Sequence, residues 1–273
     1  FRNLSFPNKI FFWIAMSFGI LIKGPIIIIF TFFPLIIFSI LRKRNFIKNI
    51  WSTFGFVLLL LVTIPWFVLI NIKSGGAFWY ESVGNDLFNK VKSGQESHGF
   101  PPGYYSLLLF IFFWPGSIFI INLFLQMKKR FKYIFKKDDF LLYLIISFGF
   151  PLIIFELVPT KLPHYIYPAY LPLSILVAKF IADCDYNKKL MKFSLFPIVL
   201  FPLTIISLIT FSIHQFSEFD VNFVFIIILY LILSLFLLKE TLKKKIKSVL
   251  ISSGCFQIFT YFVLIFFLLP RLE

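Results

Sequence analysis

The sequence predicts an all-α fold, a polytopic bundle of about nine transmembrane helices with a short extracytoplasmic loop and helix region. Hydrophobic residues make up 59% of the 273 residues, and charged residues only 14%. Soluble domains carry about 25% charged residues, so a soluble globular enzyme is excluded, and disorder is excluded because it needs low hydrophobicity. The apolar residues form long runs, and backbone groups in lipid must be satisfied internally, which favours helices.

The apolar runs approach the length of about 20 residues that a membrane-spanning helix needs. Pro34, Pro65, Pro115 and Pro202 are expected to kink or end helices locally. No soluble domain is visible between the runs, so we predict a single membrane-embedded domain over residues 1–273. Because the chain starts at Phe1 rather than Met, we expect it to be part of a longer protein. The runs are 10–22, 26–41, 52–72, 103–125, 140–157, 166–182, 193–213, 222–238 and 248–269.

The connections between the runs alternate in charge. Four basic connections hold 18 of the 27 Lys and Arg residues, and the positive-inside rule places them in the cytoplasm. The net charge of +15 is therefore interpreted as a topology signal that also contacts anionic lipid head groups, and not as a nucleic-acid site. The basic connections are Arg42–Arg44 with Lys48, Lys128–Lys137, Lys188–Lys189 with Lys192, and Lys239–Lys247.

The other connections must then lie outside the cytoplasm, and they include the loops 73–102 and 158–165. All three histidines, His98, His164 and His214, fall on this side. Several acidic residues accompany them. This concentration of titratable residues on one side predicts that any chemistry takes place at the extracytoplasmic surface.

The first half of loop 73–102 has a roughly helical spacing of apolar residues from Phe78 to Val91, which predicts a short helix on the membrane surface. Glu81, Asp86 and Lys90 would share its polar side. Asp86 and Lys90 are four residues apart, as in a helical ion pair. Taken alone, that pair is best explained as a solvated surface bridge.

The second half of this loop brings a carboxylate and an imidazole together, at Glu96 and His98, beside the rigid Pro101–Pro102 turn. Such a pair can bind a divalent metal, or hold a protonated His against a phosphate. A loop His that caps a helix end is an equally open alternative. Tyr104 and Tyr105 follow, and they fit either a shaped site or the aromatic belt at the membrane interface.

The loop 158–165 is a stiff reversal, because three prolines lie within ten residues at this point of the chain. Lys161 and His164 are three residues apart, which is close enough to face one anion. A cationic pair at the water–lipid boundary suits the phosphate of a lipid carrier. The alternative is an anchor of Lys and Tyr at a helix end, and we favour the phosphate site.

Three segments together resemble one known family. The combination resembles bacterial integral-membrane glycosyltransferases of the GT-C type, closest to the lipid A aminoarabinose transferase and protein O-mannosyltransferase group. The resemblance covers most of residues 10–185, and its most specific part is the Lys-Leu-Pro-His-Tyr run. The segments are Lys23–Pro25, Gln95–Gly99 with Pro101–Tyr105, and Pro159–Tyr165 with Tyr167 and Pro168.

The resemblance implies an enzyme of the bacterial inner membrane that takes a sugar from a polyprenyl phosphate. The acceptor would be a lipid A-like lipid, a glycan or a protein on the extracytoplasmic face, and the anomeric centre would be inverted. The family's general base is an Asp in an early outer loop. We expect it upstream of Phe1, so no catalytic base is assigned in this chain.

The resemblance also gives roles to the candidate residues. Membrane lipids are expected partners, and nucleic acid is not. Glu96 with His98 are candidate ligands of a divalent metal, the one cofactor considered. The predicted contacts to the donor phosphate are Lys161, His164, Lys90 and Tyr165, and the predicted contacts to sugar or acceptor are Glu81, Asp86, Glu96, His98, Tyr104 and Tyr105.

Two other classes of function stay open. A transporter or flippase of lipid-linked sugars would place polar residues near the bilayer midplane, whereas the predicted spans are almost free of charge in their middles. A non-catalytic membrane subunit would not need His, Lys and acidic residues concentrated in its outer loops. The sequence therefore favours the transferase over both.

Overall fold

The structure, a computed structural model, describes residues 4–81, 100–183, 191–216, 221–243, 246–263 and 265–266. Contacts group the chain into two compact units. The first unit comprises residues 1–105 and 133–175, and the second comprises residues 106–132 and 176–273. The single domain predicted over residues 1–273 stays a prediction.

The described residues are almost entirely helical. Two 3₁₀ segments, Gly24–Ile26 and Pro163–Ala169, join α-helices in the first unit. The α-helices are α1 (Phe6–Lys23), α2 (Ile27–Arg42), α3 (Ile47–Ile50), α4 (Thr53–Lys73), α5 (Ala77–Trp79), α6 (Tyr104–Phe112), α7 (Ser117–Lys137), α8 (Asp139–Leu157), α9 (Tyr170–Asp183), α10 (Met191–Phe216), α11 (Val221–Leu242) and α12 (Ile246–Val263).

Each predicted apolar run coincides with helix in the described residues. The run 103–125 is divided into α6 and α7, with Pro115 between them, which confirms the break expected at that proline. The other three prolines do not end a helix: Pro34 lies inside α2, Pro65 inside α4, and Pro202 inside α10. A proline inside a helix removes one hydrogen bond, but neighbouring helices in a membrane protein can compensate for that loss.

The basic connection Lys128–Lys137 is helical and forms the second half of α7. Lys and Arg have high helix propensity, so the apolar helix continues into them. The chain turns only at Asp138, where the side chain accepts the Leu141 N–H at 2.9 Å and caps α8.

Five described segments are long and apolar enough to cross a membrane. The first is interrupted by the 3₁₀ turn at Gly24–Ile26 and so contains both α1 and α2. The chain is therefore a multi-pass helical membrane protein. The segments are Phe6–Arg42, Thr53–Lys73, Asp139–Leu157, Pro163–Ala182 and Val224–Leu242.

Trp13 is the centre of the packing between α1 and α4. Its side chain is buried against Met16 and Leu59, and its indole N–H donates to the Ile50 carbonyl at 3.1 Å. The ring also lies directly over Gly55, where a Cβ atom would come within 2.4 Å of Trp13 Cδ1. The absence of a side chain at Gly55 is therefore what lets the two helices approach.

Helix α2 packs antiparallel to α8 through rings that meet along its length. Phe30 stacks on Phe155 with ring centroids 5.6 Å apart, and Phe33 stacks on Phe150 at the same distance. At the far end, Arg42 Nε donates to Asp139 Oδ1 at 2.6 Å. The antiparallel packing therefore places the end of α8 next to the beginning of α2, which directly follows the end of α1.

The second unit has its own aromatic core. Trp114 stacks on Phe201, with ring centroids 4.5 Å apart and planes within 5° of parallel. Phe256 of α12 lies 6.0 Å from Phe201 and 5.2 Å from Tyr230. Large rings give extensive contact area, and here they join α10, α11 and α12.

The substitution Gly55→Ala is expected to destabilise the protein by about 1–3 kcal/mol, because the new methyl group would overlap the Trp13 ring. Gly149→Ala in α8 is the matched control. A Cβ atom there meets nothing within 4 Å, and the change adds up to about 1 kcal/mol of helix propensity. Thermal unfolding of both variants in detergent checks this; an unchanged midpoint for Gly55→Ala would contradict the described packing.

Candidate functional site

The described parts of all three segments singled out in the sequence lie at one end of the first unit. Lys23 is the last residue of α1 and is exposed. His164 follows α8 and is exposed as well, and the stacking of Phe30 on Phe155 brings the end of α8 to the beginning of α2, which follows Lys23. The antiparallel packing of α2 and α8 produces this arrangement, because it places both helix ends on the same side of the unit.

Gly24 makes the turn after Lys23 possible. Its φ of 68° lies in the left-handed region, and its N–H donates to the Ile20 carbonyl at the end of α1. Glycine adopts this conformation without steric cost. Pro25 then begins the 3₁₀ segment that leads into α2, so the Lys-Gly-Pro motif acts locally as a helix stop and restart.

Lys161 lies inside the site rather than at its surface. Its side chain is 1% exposed, and the ammonium donates to the carbonyls of Phe155 at 3.0 Å, Glu156 at 2.7 Å and Val158 at 2.9 Å. These are carbonyls of the last turn of α8 and of the residue after it. The Lys161 ammonium therefore caps the C-terminus of this helix, where the backbone carries partial negative charge.

Burial and the neighbouring carboxylate have opposite effects on the pKa of Lys161. Burial, the larger effect, lowers this pKa by disfavouring the charged ammonium, and the Glu156 carboxylate raises it. Glu156 Oε2 lies 3.9 Å from Lys161 Nζ, and the Tyr105 ring centroid lies 5.5 Å from the same atom. Carboxylate, carbonyls and ring together compensate part of the cost of burying the charge.

Glu156 also joins α8 to the Pro-Pro-Gly-Tyr-Tyr segment. Its Oε2 atom accepts the Gly103 N–H at 2.8 Å. Gly103 has a φ of 105°, a conformation that residues with a side chain rarely adopt. Glycine at this position therefore turns the chain after the two prolines so that the N–H faces the carboxylate.

The two tyrosines of this segment differ in their surroundings. Tyr105 is fully buried, and its hydroxyl donates to the Leu162 carbonyl at 3.1 Å. Tyr104 is partly exposed and stacks on Phe100 with ring centroids 4.8 Å apart. Tyr105 thus acts within the unit as a brace between two loops, whereas Tyr104 is accessible from outside. The predicted contact of each with sugar or acceptor stays a prediction.

His164 and Tyr165 form the accessible part of the second loop. The two rings meet edge to face, with centroids 4.9 Å apart, and Tyr165 lies against Phe155 at 5.8 Å. Because Phe155 is buried at the end of α8, this contact fixes Tyr165 and leaves His164 directed away from the packed residues.

Four of the predicted site residues lie outside the described residues, and they are Asp86, Lys90, Glu96 and His98. Most of the predicted surface helix from Phe78 to Val91 also lies there. Glu81 is exposed at the edge of a described segment. Among the residues that the structure describes, no group of three or more His, Cys, Asp or Glu side chains is arranged to hold a metal ion.

No family model matches the chain. Among curated proteins, an undecaprenyl phosphate-α-4-amino-4-deoxy-L-arabinose arabinosyl transferase of Wigglesworthia glossinidia brevipalpis is 29% identical over 200 residues, or 71% of this chain and 34% of that protein. The transferase of the same name from Photorhabdus laumondii is 24% identical over 178 residues, or 63% of this chain and 30% of that protein.

The crystal structure of ArnT from Cupriavidus metallidurans bound to undecaprenyl phosphate matches with a TM-score of 0.62 and 16% identity, covering 93% of this chain and 46% of that one. The chain resembles aminoarabinose transferases in both sequence and fold. The resemblance to this GT-C group drawn from the sequence motifs is therefore confirmed. The chain spans about a third of the length of the curated relatives it matches.

The sequence did not reveal that Glu156 and Gly103 connect the end of α8 to the loop before α6. The sequence analysis assigns no contact to Glu156, and it includes Gly103 only within the Pro101–Tyr105 segment. A carboxylate at the end of an apolar helix is costly unless it is paired, and that rule alone was a signal that Glu156 has a specific partner.

The substitution Tyr105→Phe is expected to destabilise the protein by about 1 kcal/mol, because the hydrogen bond to the Leu162 carbonyl is lost in a buried position. Tyr104→Phe is the matched control, since Tyr104 is partly exposed. Thermal unfolding in detergent compares the two. Equal midpoints for both variants would mean that the Tyr105 hydroxyl does not brace the two loops.

Proposed function

We propose that this chain is part of an integral-membrane glycosyltransferase that transfers a sugar from a polyprenyl-phosphate carrier. The main support is the position of two exposed residues from separate segments, Lys23 before α2 and His164 after α8, at helix ends that the Phe30–Phe155 stack brings together. They lie at a helix end, where a lipid phosphate would sit. The likeness to aminoarabinose transferases supports the same function.

The proposed reaction displaces the carrier phosphate from the anomeric carbon. An acceptor hydroxyl oxygen forms the new bond to that carbon, the bond to the phosphate oxygen breaks, and the configuration inverts. The acceptor proton passes to a general base outside the residues that we assign to the site. The phosphate leaves with negative charge, so positive groups fixed near it lower the barrier.

In this proposal Lys23, His164 and Tyr165 face the leaving phosphate. Lys23 supplies a fixed positive charge, while His164 and the Tyr165 hydroxyl supply hydrogen bonds. Lys90, predicted for the same task, lies outside the described residues, as do the candidate metal ligands Glu96 and His98. Tyr104, with its partly exposed ring, is placed beside the sugar or the isoprenoid.

The acceptor is proposed to be a lipid A-like lipid, and the active face is proposed to be the extracytoplasmic face of the bacterial inner membrane. The charge pattern supports this sidedness. Lys23 and His164 lie at the opposite end of the first unit from Arg42, which precedes the basic cluster Arg42–Arg44. The positive-inside rule places that cluster in the cytoplasm.

The substitution His164→Ala, made in the complete protein, is expected to weaken binding of undecaprenyl phosphate by about 10- to 100-fold, the effect of one lost hydrogen bond to a charged group. Arg44→Ala is the control, because it removes an exposed charge beyond the other end of α2. Binding is measured by microscale thermophoresis in detergent. Unchanged affinity in His164→Ala would contradict the proposed phosphate site.

A further inference from the structure

The Lys161 ammonium has no N–H group left for a phosphate in the described arrangement. An ammonium has three hydrogens to donate, and Lys161 directs them to the carbonyls of Phe155, Glu156 and Val158. Each of these bonds is 3.0 Å or shorter, which is normal for a strong hydrogen bond. A phosphate that bound Lys161 directly would have to replace at least one of them.

Replacing those bonds would leave helix carbonyls without a partner. The last four carbonyls of an α-helix have no partner within the helix, and an unpaired polar group buried away from water costs about 1–3 kcal/mol. The Lys161 side chain is also 1% exposed, whereas the rings of His164 and Tyr165 lie nearer the surface. The described geometry therefore favours a task for Lys161 inside the protein.

The contacts of Lys161 belong to a cluster that fixes two loops to the end of α8. Glu156 accepts the Gly103 N–H on one side and faces Lys161 on the other. Tyr105 donates to the Leu162 carbonyl and lies beside the ammonium. The loop before α6 and the loop after α8 are thus linked through one ion pair, Glu156 and Lys161.

We infer that Lys161 is a positioning residue, which caps α8 and fixes the loop 158–165 so that His164 and Tyr165 face the donor phosphate, without contacting the phosphate itself. This inference rests on the proposed function. It replaces the direct phosphate contact predicted for Lys161 with an indirect one, through the backbone that leads to His164.

Arginine at position 161 separates the two tasks. A direct phosphate ligand tolerates Lys161→Arg, since a guanidinium binds phosphate at least as well as an ammonium does. A buried cap does not tolerate it, because the larger planar guanidinium cannot direct three N–H groups to the same three carbonyls. We expect Lys161→Arg and Lys161→Met to raise the KM for the polyprenyl-phosphate donor to a similar extent, by tenfold or more.

Glu156→Ala provides a second test, because direct phosphate binding by Lys161 and positioning by Lys161 predict changes of the donor KM in opposite directions. If Lys161 bound the phosphate, removal of a carboxylate 3.9 Å away would reduce repulsion and lower the donor KM. If the cluster positions the loop, loss of the bond to Gly103 raises the donor KM by about threefold to tenfold. This variant keeps all three carbonyl bonds of Lys161, so it remains informative if the Lys161 variants fail to fold.

The measurement is steady-state transfer by the complete protein, with the KM for donor and acceptor determined separately. A change that only reduces the amount of folded protein lowers the maximal rate and leaves the donor KM unchanged, and Arg44→Ala gives the reference for an unrelated charge. Wild-type donor KM in Lys161→Arg, or a lowered one in Glu156→Ala, overturns the inference. Failure of the wild-type protein to bind undecaprenyl phosphate would instead contradict the proposed function.

Discussion

The need to give every buried backbone carbonyl and N–H a partner is the constraint on which the other features of this structure depend. In an apolar medium a helix pairs its backbone groups along its length, but the groups at its two ends stay without partners within the helix. The first unit solves the problem with side chains placed at those ends. Ser52 accepts the Gly55 N–H at the start of α4, and Asp138 accepts the Leu141 N–H at the start of α8. At the other end of α8, Lys161 donates to the last carbonyls of the helix.

Most of the fold was predictable from the sequence, because long apolar runs in a membrane protein have one satisfactory backbone conformation. The helix ends were less predictable. Nothing in the composition of Lys128–Lys137 distinguishes a basic loop from a helix that extends beyond the membrane, and the structure has the helix. The prolines at 34, 65 and 202, expected to kink or end helices, do not end them, since the helices continue past them.

The candidate site was predictable in its location and less so in its chemistry. The sequence pointed to Lys23, Lys161 and His164, and the antiparallel packing of α2 and α8 brings the segments that carry them to one end of the unit. The sequence alone could not show which of these side chains is exposed and which is buried. Lys161 and His164 are three residues apart, yet one is directed into the protein and the other away from it, a difference decided by the fold around the Glu156 carboxylate.

The position of the cap along the chain has a consequence for biosynthesis. Lys161 contacts the Tyr105 ring and carbonyls only a few residues before it in the chain. It is also linked to Gly103, through the Glu156 carboxylate. All of them leave the ribosome earlier than Lys161 does, and domains fold from the N-terminal side during synthesis. The end of α8 can therefore be completed without any residue of α10 to α12, which come later in the chain.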